Sequence, residues 1–315
     1  MKTAAVTSAS PHPPTRRLLK NIHLHWQLYA ILAIPLAWLI LFNYVPMYGL
    51  NLAFRKYNAL AGINGGQWMG LHYFEMFFRS PNAWNYLWNT FALSLYSTIL
   101  GFLPPLVLAV CLNEAKGRFF KKTVQMVTYI PYFISTVVLV GMLFQILDLR
   151  NGIFNQIVTA LGGEAQNWMG ESGYFRTIYV LSGIWQTTGY NSIVYLAALT
   201  AVNPELQEAA VIDGASRMQR ILHVDIPCIS STIITLFVLG VGFTMSVGFE
   251  KVLLMQNPTN TAVSEIVSTY VYKVGLVQNN FSYSTAIGMF NSGINLVLML
   301  LVNFLSKKLT DTSIW

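Results

Sequence analysis

The stretch NPELQEAAVIDGASRMQRILHVDIP, residues 203–227, separates two long intervals without charge and predicts two short helices joined by a tight bend. Asn203 is a suitable N-cap, because its side chain can accept a hydrogen bond from an unpaired backbone N–H. Pro204 then occupies the first helical position, where the missing N–H costs nothing. Gly214 can adopt the left-handed conformation that ends a helix. We expect the second helix to stop before Pro227.

On both sides of this stretch the chain is strongly apolar. Of its 315 residues, 54% are hydrophobic and only 10% are charged, with a mean hydropathy of +0.50. A soluble domain carries about 25% charged residues, so a soluble domain is excluded. A charge at mid-bilayer costs about 2.5–3.5 kcal/mol, and a spanning helix needs about 20 apolar residues. Six charge-free intervals are long enough. The sequence therefore predicts an all-α membrane protein with six transmembrane helices, near residues 28–49, 89–112, 123–147, 177–201, 228–249 and 284–306.

The charges that remain set the orientation of these helices. The chain has 19 Lys and Arg against 12 Asp and Glu, a net charge of +7. Positive residues are concentrated beside span ends on one side, at Lys121, Lys122, Lys307 and Lys308, and this side is expected to be cytoplasmic. Both termini are then cytoplasmic. We expect a cytoplasmic N-terminal segment 1–27, a transmembrane domain 28–306 that contains the cytoplasmic loop 202–227, and a cytoplasmic tail 307–315. The positive charge is a topology signal and does not indicate nucleic acid.

Several predicted spans carry polar or small residues at helical spacing. One interpretation is close helix packing, because small residues allow backbones to approach and hydroxyl or amide groups bond across the interface. The other is an uncharged path for a hydroxyl-rich solute, which would exchange hydrogen bonds with these groups and stack on aromatic rings. The candidate path residues are Tyr129, Tyr132, Trp185, Gln186, Tyr190, Asn191, Asn291 and Asn295.

The sequence offers no energy source or catalytic site of its own. It contains no G-x-x-x-x-G-K-[ST] phosphate loop and no H-E-x-x-H motif. No carboxylate falls within a predicted span, which weakens ion coupling, and no metal site is expected. An embedded enzyme is therefore disfavoured, while a secondary transporter or channel stays open. If the chain pumps a solute, a partner must supply the energy, and the loop 202–227 is the elaborate inner segment that could receive it.

A resemblance makes this interpretation specific. Residues 208–227 resemble the EAA loop of ATP-binding-cassette (ABC) importer permeases, E-A-A-x3-G-x9-I-x-L-P. Val224 and Ile226 replace the Ile and Leu of that pattern. The segments VPMYG (45–49), FEKVL (249–253) and STYVYKVG (268–275) look like those of the sugar-permease subgroup for oligosaccharides and polysaccharide fragments. The matching residues of the loop are Glu208, Ala209, Ala210, Gly214 and Pro227.

The resemblance implies a fold, partners and a place in the cell. It implies the type I importer permease fold in a bacterial cytoplasmic membrane, in contact with lipid and paired with a second permease subunit in a heterodimer. Two cytoplasmic ATPase subunits would bind ATP and Mg²⁺, since this chain is expected to bind no cofactor. An extracytoplasmic solute-binding protein would deliver a saccharide; another solute, such as a small sugar or a glycerol phosphate, is the alternative. The residues implied to couple to the ATPase are Glu208, Ala209, Ala210, Asp213, Gly214 and Arg217.

Overall fold

The computed structural model describes residues 24–60, 62–63, 65–242 and 248–310. Within these ranges the chain is helical and has no β-strand, and its extended pairings are two isolated bridges in the loop after Phe54. The predicted all-α class is confirmed for this part of the chain. Most of the predicted N-terminal segment 1–27 and the end of the predicted tail 307–315 lie outside it.

Fourteen helical segments follow one another along the described residues. Short helices fill much of what the sequence suggested were outer connections. The segments are Trp26–Phe54, His72–Arg79, Ala83–Glu114, Arg118–Phe133, Thr136–Ile146, Ile153–Ala160, Ser172–Thr200, Pro204–Ile212, Arg217–Cys228, Ser230–Gly242, Phe249–Met255, Thr261–Ser264, Val267–Val277 and Phe281–Thr310.

Three of these helices are long and apolar enough to cross a membrane by themselves. They are Trp26–Phe54, Ala83–Glu114 and Phe281–Lys308, with 29, 32 and 28 residues. At 1.5 Å per residue each exceeds the roughly 30 Å of a bilayer core. Each extends beyond both ends of the predicted span that it contains, because helices continue past the hydrocarbon region where polar residues begin.

The predicted third span, 123–147, is not one helix. Arg118–Phe133 and Thr136–Ile146 meet at 99°. Pro131 lies in the 3₁₀ turn Ile130–Phe133 that ends the first part. Ser135 then starts the second part by accepting a hydrogen bond from the Val138 N–H, at 3.4 Å. A serine cap directly after a proline turn favours a new helix over continuation of the old one.

The predicted fifth span, 228–249, also needs correction. Arg217–Cys228 and Ser230–Val241 meet at 65°, and the second of these helices is described as far as Gly242. Part of the predicted span, residues 243–247, lies outside the described residues, and Phe249 already begins the next helix. Within the described ranges, three helices are therefore long and apolar enough to cross a membrane, or up to five if each bent pair is one crossing.

The helix Ser172–Thr200, which we call the central helix, covers the predicted fourth span 177–201 except for its last residue and packs along Ala83–Glu114. It has 29 residues, so its length suffices for a crossing, but its polar side chains keep it outside the apolar set. Gly189 marks its closest approach to Arg118–Tyr129, since a β-carbon there would lie 2.0 Å from the carbonyl oxygen of Thr128. The absence of a side chain is what allows this contact.

The first helix, Trp26–Phe54, contributes little to the interior of the chain. No residue between Trp26 and Met47 is buried, and Ala53 near its end is the first that is. Its apolar side chains are largely exposed, among them Ile31, Ile34 and Trp38. An exposed apolar surface of this size is typical of contact with lipid or with another protein.

Candidate functional site

The loop between the central helix and Ser230–Gly242 forms the first candidate site. Its helix Pro204–Ile212, which we call the loop helix, begins as predicted: the Asn203 Oδ1 accepts a hydrogen bond from the Glu205 N–H at 3.1 Å. Gly214 has φ = +80°, the left-handed conformation expected at the end of this helix. The predicted start and end of the loop helix are confirmed.

The second helix of the loop differs from the prediction. Ser216 and Gln219 form a capping box that starts it, but it runs through Pro227 to Cys228. A π-helical turn, Ile221–Asp225, lies just before the proline. In this turn hydrogen bonds span five residues instead of four, which changes the register in which Pro227 meets the preceding carbonyls. The break comes only at Ile229.

The residues implied to couple to an ATPase lie at the tip of this loop. Ala210 is half-buried, and the other five are exposed: Glu208, Ala209, Asp213, Gly214 and Arg217. Large apolar side chains are exposed beside them, at Leu206, Val211, Ile212 and Met218, and Ile212 is 86% exposed. The tip thus presents an apolar surface with acidic and basic groups around it, a composition that suits a protein interface.

The inner side of the loop helix is tied to the rest of the chain by a polar network that we did not predict. The Gln207 side chain donates a hydrogen bond to Asp225, which is 1% exposed. Arg220 donates to the Gln207 Oε1 at 3.4 Å and lies 3.9 Å from a carboxylate oxygen of Glu114. Since Glu114 ends the long helix Ala83–Glu114, the network links the loop to that helix. These residues are distant in sequence, so spacing gave no signal.

The second candidate site is a cavity of about 370 Å³ between Ala83–Glu114, the central helix and Ser230–Gly242. We call it the inner cavity. Its volume is within the range of small-molecule sites, about 300–1,000 Å³. Among the described residues no charged side chain lines it, and its lining combines hydroxyl and amide groups with apolar side chains. Its polar lining consists of Ser97, Thr98, Thr187, Tyr190, Asn191 and Tyr195.

A neighbouring cavity of about 340 Å³, the outer cavity, shares Ser97, Gly101 and Thr187 with the inner one. The two therefore adjoin along the central helix. The outer cavity differs in its chemistry, because Glu250 and Lys251 contribute to its lining. The outer cavity thus has charged groups in its lining, whereas the lining of the inner cavity is polar but uncharged.

The predicted path residues fall into separate places. Tyr190 and Asn191 line the inner cavity, and the ring of Tyr132 stacks on Tyr190 with centroids 3.8 Å apart. Gln186 lines the outer cavity while donating to the Ile134 carbonyl at 2.8 Å. The remaining four residues line neither the inner nor the outer cavity. Trp185 lines an apolar cavity with Leu139 and Trp168, and Tyr129 lies beside Gly189. Asn291 and Asn295 lie on Phe281–Thr310.

Lys251, which lies between the predicted fifth and sixth spans, was not among the candidate site residues but lines the outer cavity. It is only 7% exposed. Its ammonium donates to the Tyr179 carbonyl at 2.9 Å and lies 4.7 Å from the centroid of the Tyr179 ring. Burial lowers the pKa of Lys251 to about 8. The helix Phe249–Met255 packs on Thr136–Ile146 and contacts the central helix through the Lys251–Tyr179 hydrogen bond, and this long-range packing has no local sequence signal.

A metal or cofactor site is not indicated by side-chain clusters. No group of three or more His, Cys, Asp or Glu side chains comes together in the ranges that the structure describes. The chemistry available in the cavities is hydrogen bonding, stacking and one buried cation.

Comparison with known proteins identifies the family. Residues 105–311 match the model of the binding-protein-dependent transport system inner membrane component family. The polygalacturonan/rhamnogalacturonan transport system permease protein YteP of Bacillus subtilis (strain 168) is 41% identical over 300 residues, covering 95% of this chain and 94% of that one. Protein LplB of the same organism is 37% identical, covering 89% of this chain and 88% of LplB.

A solved structure agrees with this assignment. A chain of a bacterial ABC transporter involved in the import of the acidic polysaccharide alginate superposes with a TM-score of 0.87 at 36% identity, covering 93% of this chain and 99% of that chain. The same transporter type has been solved with an alginate pentasaccharide-bound periplasmic protein, again with a TM-score of 0.87 and 36% identity, covering 95% of this chain and 100% of that chain. The chain belongs to the family of binding-protein-dependent transport system inner membrane components, and is a permease of the ABC importer type.

Proposed function

We propose that this permease forms one half of a saccharide translocation pore in a bacterial cytoplasmic membrane. The observation that carries the proposal is the inner cavity, an uncharged space lined by hydroxyl, amide and aromatic groups. A sugar presents hydroxyls around its edge and C–H groups on its faces, and this lining matches both. The relatives named for polygalacturonan/rhamnogalacturonan and for alginate support an oligosaccharide or polysaccharide fragment as the solute.

The remaining parts of the proposal concern topology and partners. The three long helices, the two bent pairs and the central helix would give six crossings, with both termini in the cytoplasm. The exposed tip around Glu208 and Gly214 would contact one of two ABC ATPase subunits, which bind ATP and Mg²⁺. The exposed apolar first helix leaves room for lipid and a second, different permease subunit. An extracytoplasmic solute-binding protein would deliver the saccharide, as in the related alginate transporter solved with its periplasmic protein.

The proposal is tested by purifying the tagged chain with its bound partners and measuring uptake in proteoliposomes. We expect an ABC ATPase and a second permease to co-purify, and uptake of oligosaccharides to require ATP and the binding protein. Purification without any ATPase, together with ATP-independent uptake, would favour a secondary transporter.

A pair of asparagines tests the position of the path. Asn191→Ala removes an amide from the inner cavity and should raise the KM for uptake about tenfold, because a lost hydrogen bond to a bound solute costs about 1 kcal/mol or more. Asn295→Ala is the matched control, since Asn295 lies outside the lining of both cavities. A larger effect at Asn295 than at Asn191 would move the path to the last helix.

A further inference from the structure

We propose that Lys251 binds a carboxylate of the transported saccharide, so that the outer cavity selects an acidic oligosaccharide built from uronic acid units. This inference rests on the proposed saccharide path and names the substrate class that the path takes. Selectivity for acidic over neutral saccharides would then depend on the Lys251 side chain of the permease, in addition to the selectivity of the solute-binding protein.

The placement of Lys251 is unusual for a lysine. Lysine side chains are almost never fully buried unless they are paired, because burial removes the hydration of the ammonium. Here the side chain is 7% exposed and its ammonium lies at the wall of the outer cavity. A bound anion would compensate the free-energy cost of burying this ammonium.

The protein itself supplies only part of that compensation. The ammonium has the Tyr179 carbonyl and the Tyr179 ring as partners. Ion pairs are found for Arg79 with Glu75, Arg220 with Glu114 and Lys273 with Glu265, but none for Lys251 among the described residues. An ammonium has three donors, and a carboxylate is the ligand that would satisfy the donors left over and balance the charge.

Glycine leaves the space next to the ammonium open. A β-carbon at Gly183 would stand 3.4 Å from the Lys251 Nζ, and both residues line the outer cavity. Any larger side chain at position 183 would extend into the space that a carboxylate needs. Gln186 and Thr187, one turn further along the central helix, line the same cavity and offer groups for the hydroxyls of the sugar ring.

The charge also separates acidic from neutral saccharides. A neutral sugar that displaces water from the outer cavity would leave the ammonium without a counter-charge, which is costly in a water-poor site. A uronate would bring its own counter-charge. Glu250 lines the cavity as well, but it is exposed to solvent, so its charge is screened more strongly than that of Lys251.

The test uses the complete transporter in proteoliposomes, with the same binding protein throughout. Three probes of equal length are compared: trigalacturonate, its fully methyl-esterified form, and neutral maltotriose. Lys251→Met removes the charge and keeps the length of the side chain, while Lys251→Arg keeps the charge. We expect Lys251→Met to lower the uptake of trigalacturonate at least tenfold, while the uptake of the neutral probes stays equal or rises because the uncompensated charge is gone. Lys251→Arg should stay within about threefold of the wild type for trigalacturonate.

A second readout is independent of transport. Acylation of lysine amines, followed by mass spectrometry, should show that trigalacturonate protects Lys251 while the methyl ester does not. Lys273, which pairs with Glu265 at 2.6 Å, is the internal control. Equal losses for acidic and neutral probes in Lys251→Met would indicate a structural role and overturn the carboxylate site, as would unchanged trigalacturonate uptake.

A wrong saccharide path and a wrong carboxylate site give different results. If the assembled wild-type transporter hydrolyses ATP but imports no oligosaccharide, whether acidic or neutral, the proposed function is wrong, and the carboxylate site with it. If it imports neutral oligosaccharides and Lys251→Met leaves every acidic probe unaffected, the saccharide path stands and only the carboxylate site is refuted.

Discussion

Single residues decide how closely the helices around the cavities approach one another. At Gly189 the backbone of the central helix touches the carbonyl of Thr128, with no space for even a methyl group. Such a contact fixes the position of the neighbouring residues Tyr190 and Asn191 in the inner cavity. Close packing at a glycine therefore contributes directly to the geometry of the path.

Gly189→Ala should destabilise the protein. A β-carbon would lie 2.0 Å from a backbone oxygen, so the two helices must separate, and overpacking of this kind costs about 1–3 kcal/mol. Gly173→Ala is the control on the same helix, since a β-carbon there meets nothing within 4 Å and alanine favours a helix over glycine by about 1 kcal/mol. Melting temperatures in detergent should fall for Gly189→Ala and stay equal or rise for Gly173→Ala. Equal melting temperatures would show that the contact is not tight.

The charge state of Lys251 predicts a pH dependence. Because burial lowers its pKa to about 8, the side chain is mostly charged at pH 7 and mostly neutral at pH 9. If the ammonium binds a carboxylate, the apparent affinity for trigalacturonate should fall across this range. Other ionisable groups are close: Glu250 and Tyr179 line the same cavity, and Tyr272 packs on Phe249. Lys251→Arg isolates the lysine, because arginine stays charged and should give a flat profile.

Polar residues at helical spacing predicted some of the residues that line the cavities and missed others. Tyr190 and Asn191 were predicted from polar residues at helical spacing, and the structure places both in the inner cavity. The same pattern also selected Asn291 and Asn295, because helical spacing identifies a face of a helix but not what that face meets. Lys251 was missed for a different reason: hydropathy assigns a charged residue to the aqueous loops, whereas its burial depends on the long-range packing of Phe249–Met255.

At the scale of elements, the loop helix shows what local chemistry can specify. Its start and its end follow from Asn203, Pro204 and Gly214, each of which acts within one turn of its position. The extension of the second helix of the loop through Pro227 cannot be predicted from such local signals, because it depends on a π-helical turn that no residue pattern indicates. The 99° bend before Thr136 belongs to the same class of feature, since a proline and a serine permit the bend without fixing its angle.

Gly214 is predicted to be essential through its backbone conformation. Its φ is +80°, while a β-carbon there would meet nothing within 4 Å, so strain and not collision is the expected effect of substitution. Gly214→Val should distort the loop tip, at a cost of about 1–2 kcal/mol or more, and reduce ATPase co-purification and ATP-dependent uptake. Gly214→Asn should retain both, because asparagine tolerates this conformation. Equal behaviour of the two variants would contradict the argument from strain.

At the scale of the whole molecule, charge patterning located most of the helical framework. The charge-free intervals overlap long helices at 26–54, 83–114, 172–200 and 281–310. The other two overlap bent pairs, so the number of crossings cannot be read from helix length alone. The relation between the pairs and the bilayer depends on the complete assembly, which the intervals of a single chain do not encode.

The proposed orientation is testable with single cysteines. Cys111 and Cys228 are both free and exposed, so they are first replaced by serine. Glu164→Cys lies on the predicted outer side and Asp213→Cys on the loop tip, and both positions are exposed. A membrane-impermeant maleimide added to intact spheroplasts should label position 164, and should label position 213 only after permeabilisation. The reverse pattern would invert the topology.

The weak internal packing of the first helix has a consequence for how such permeases diverge. No residue between Trp26 and Met47 is buried, so packing within the chain hardly constrains the identity of any side chain there. The surroundings of the helix, lipid or another protein, require only that it stays hydrophobic. Substitutions there should therefore accumulate at little cost to folding. The first helix could thus adapt to a new bilayer thickness or a new subunit without disturbing the packing of the other described helices.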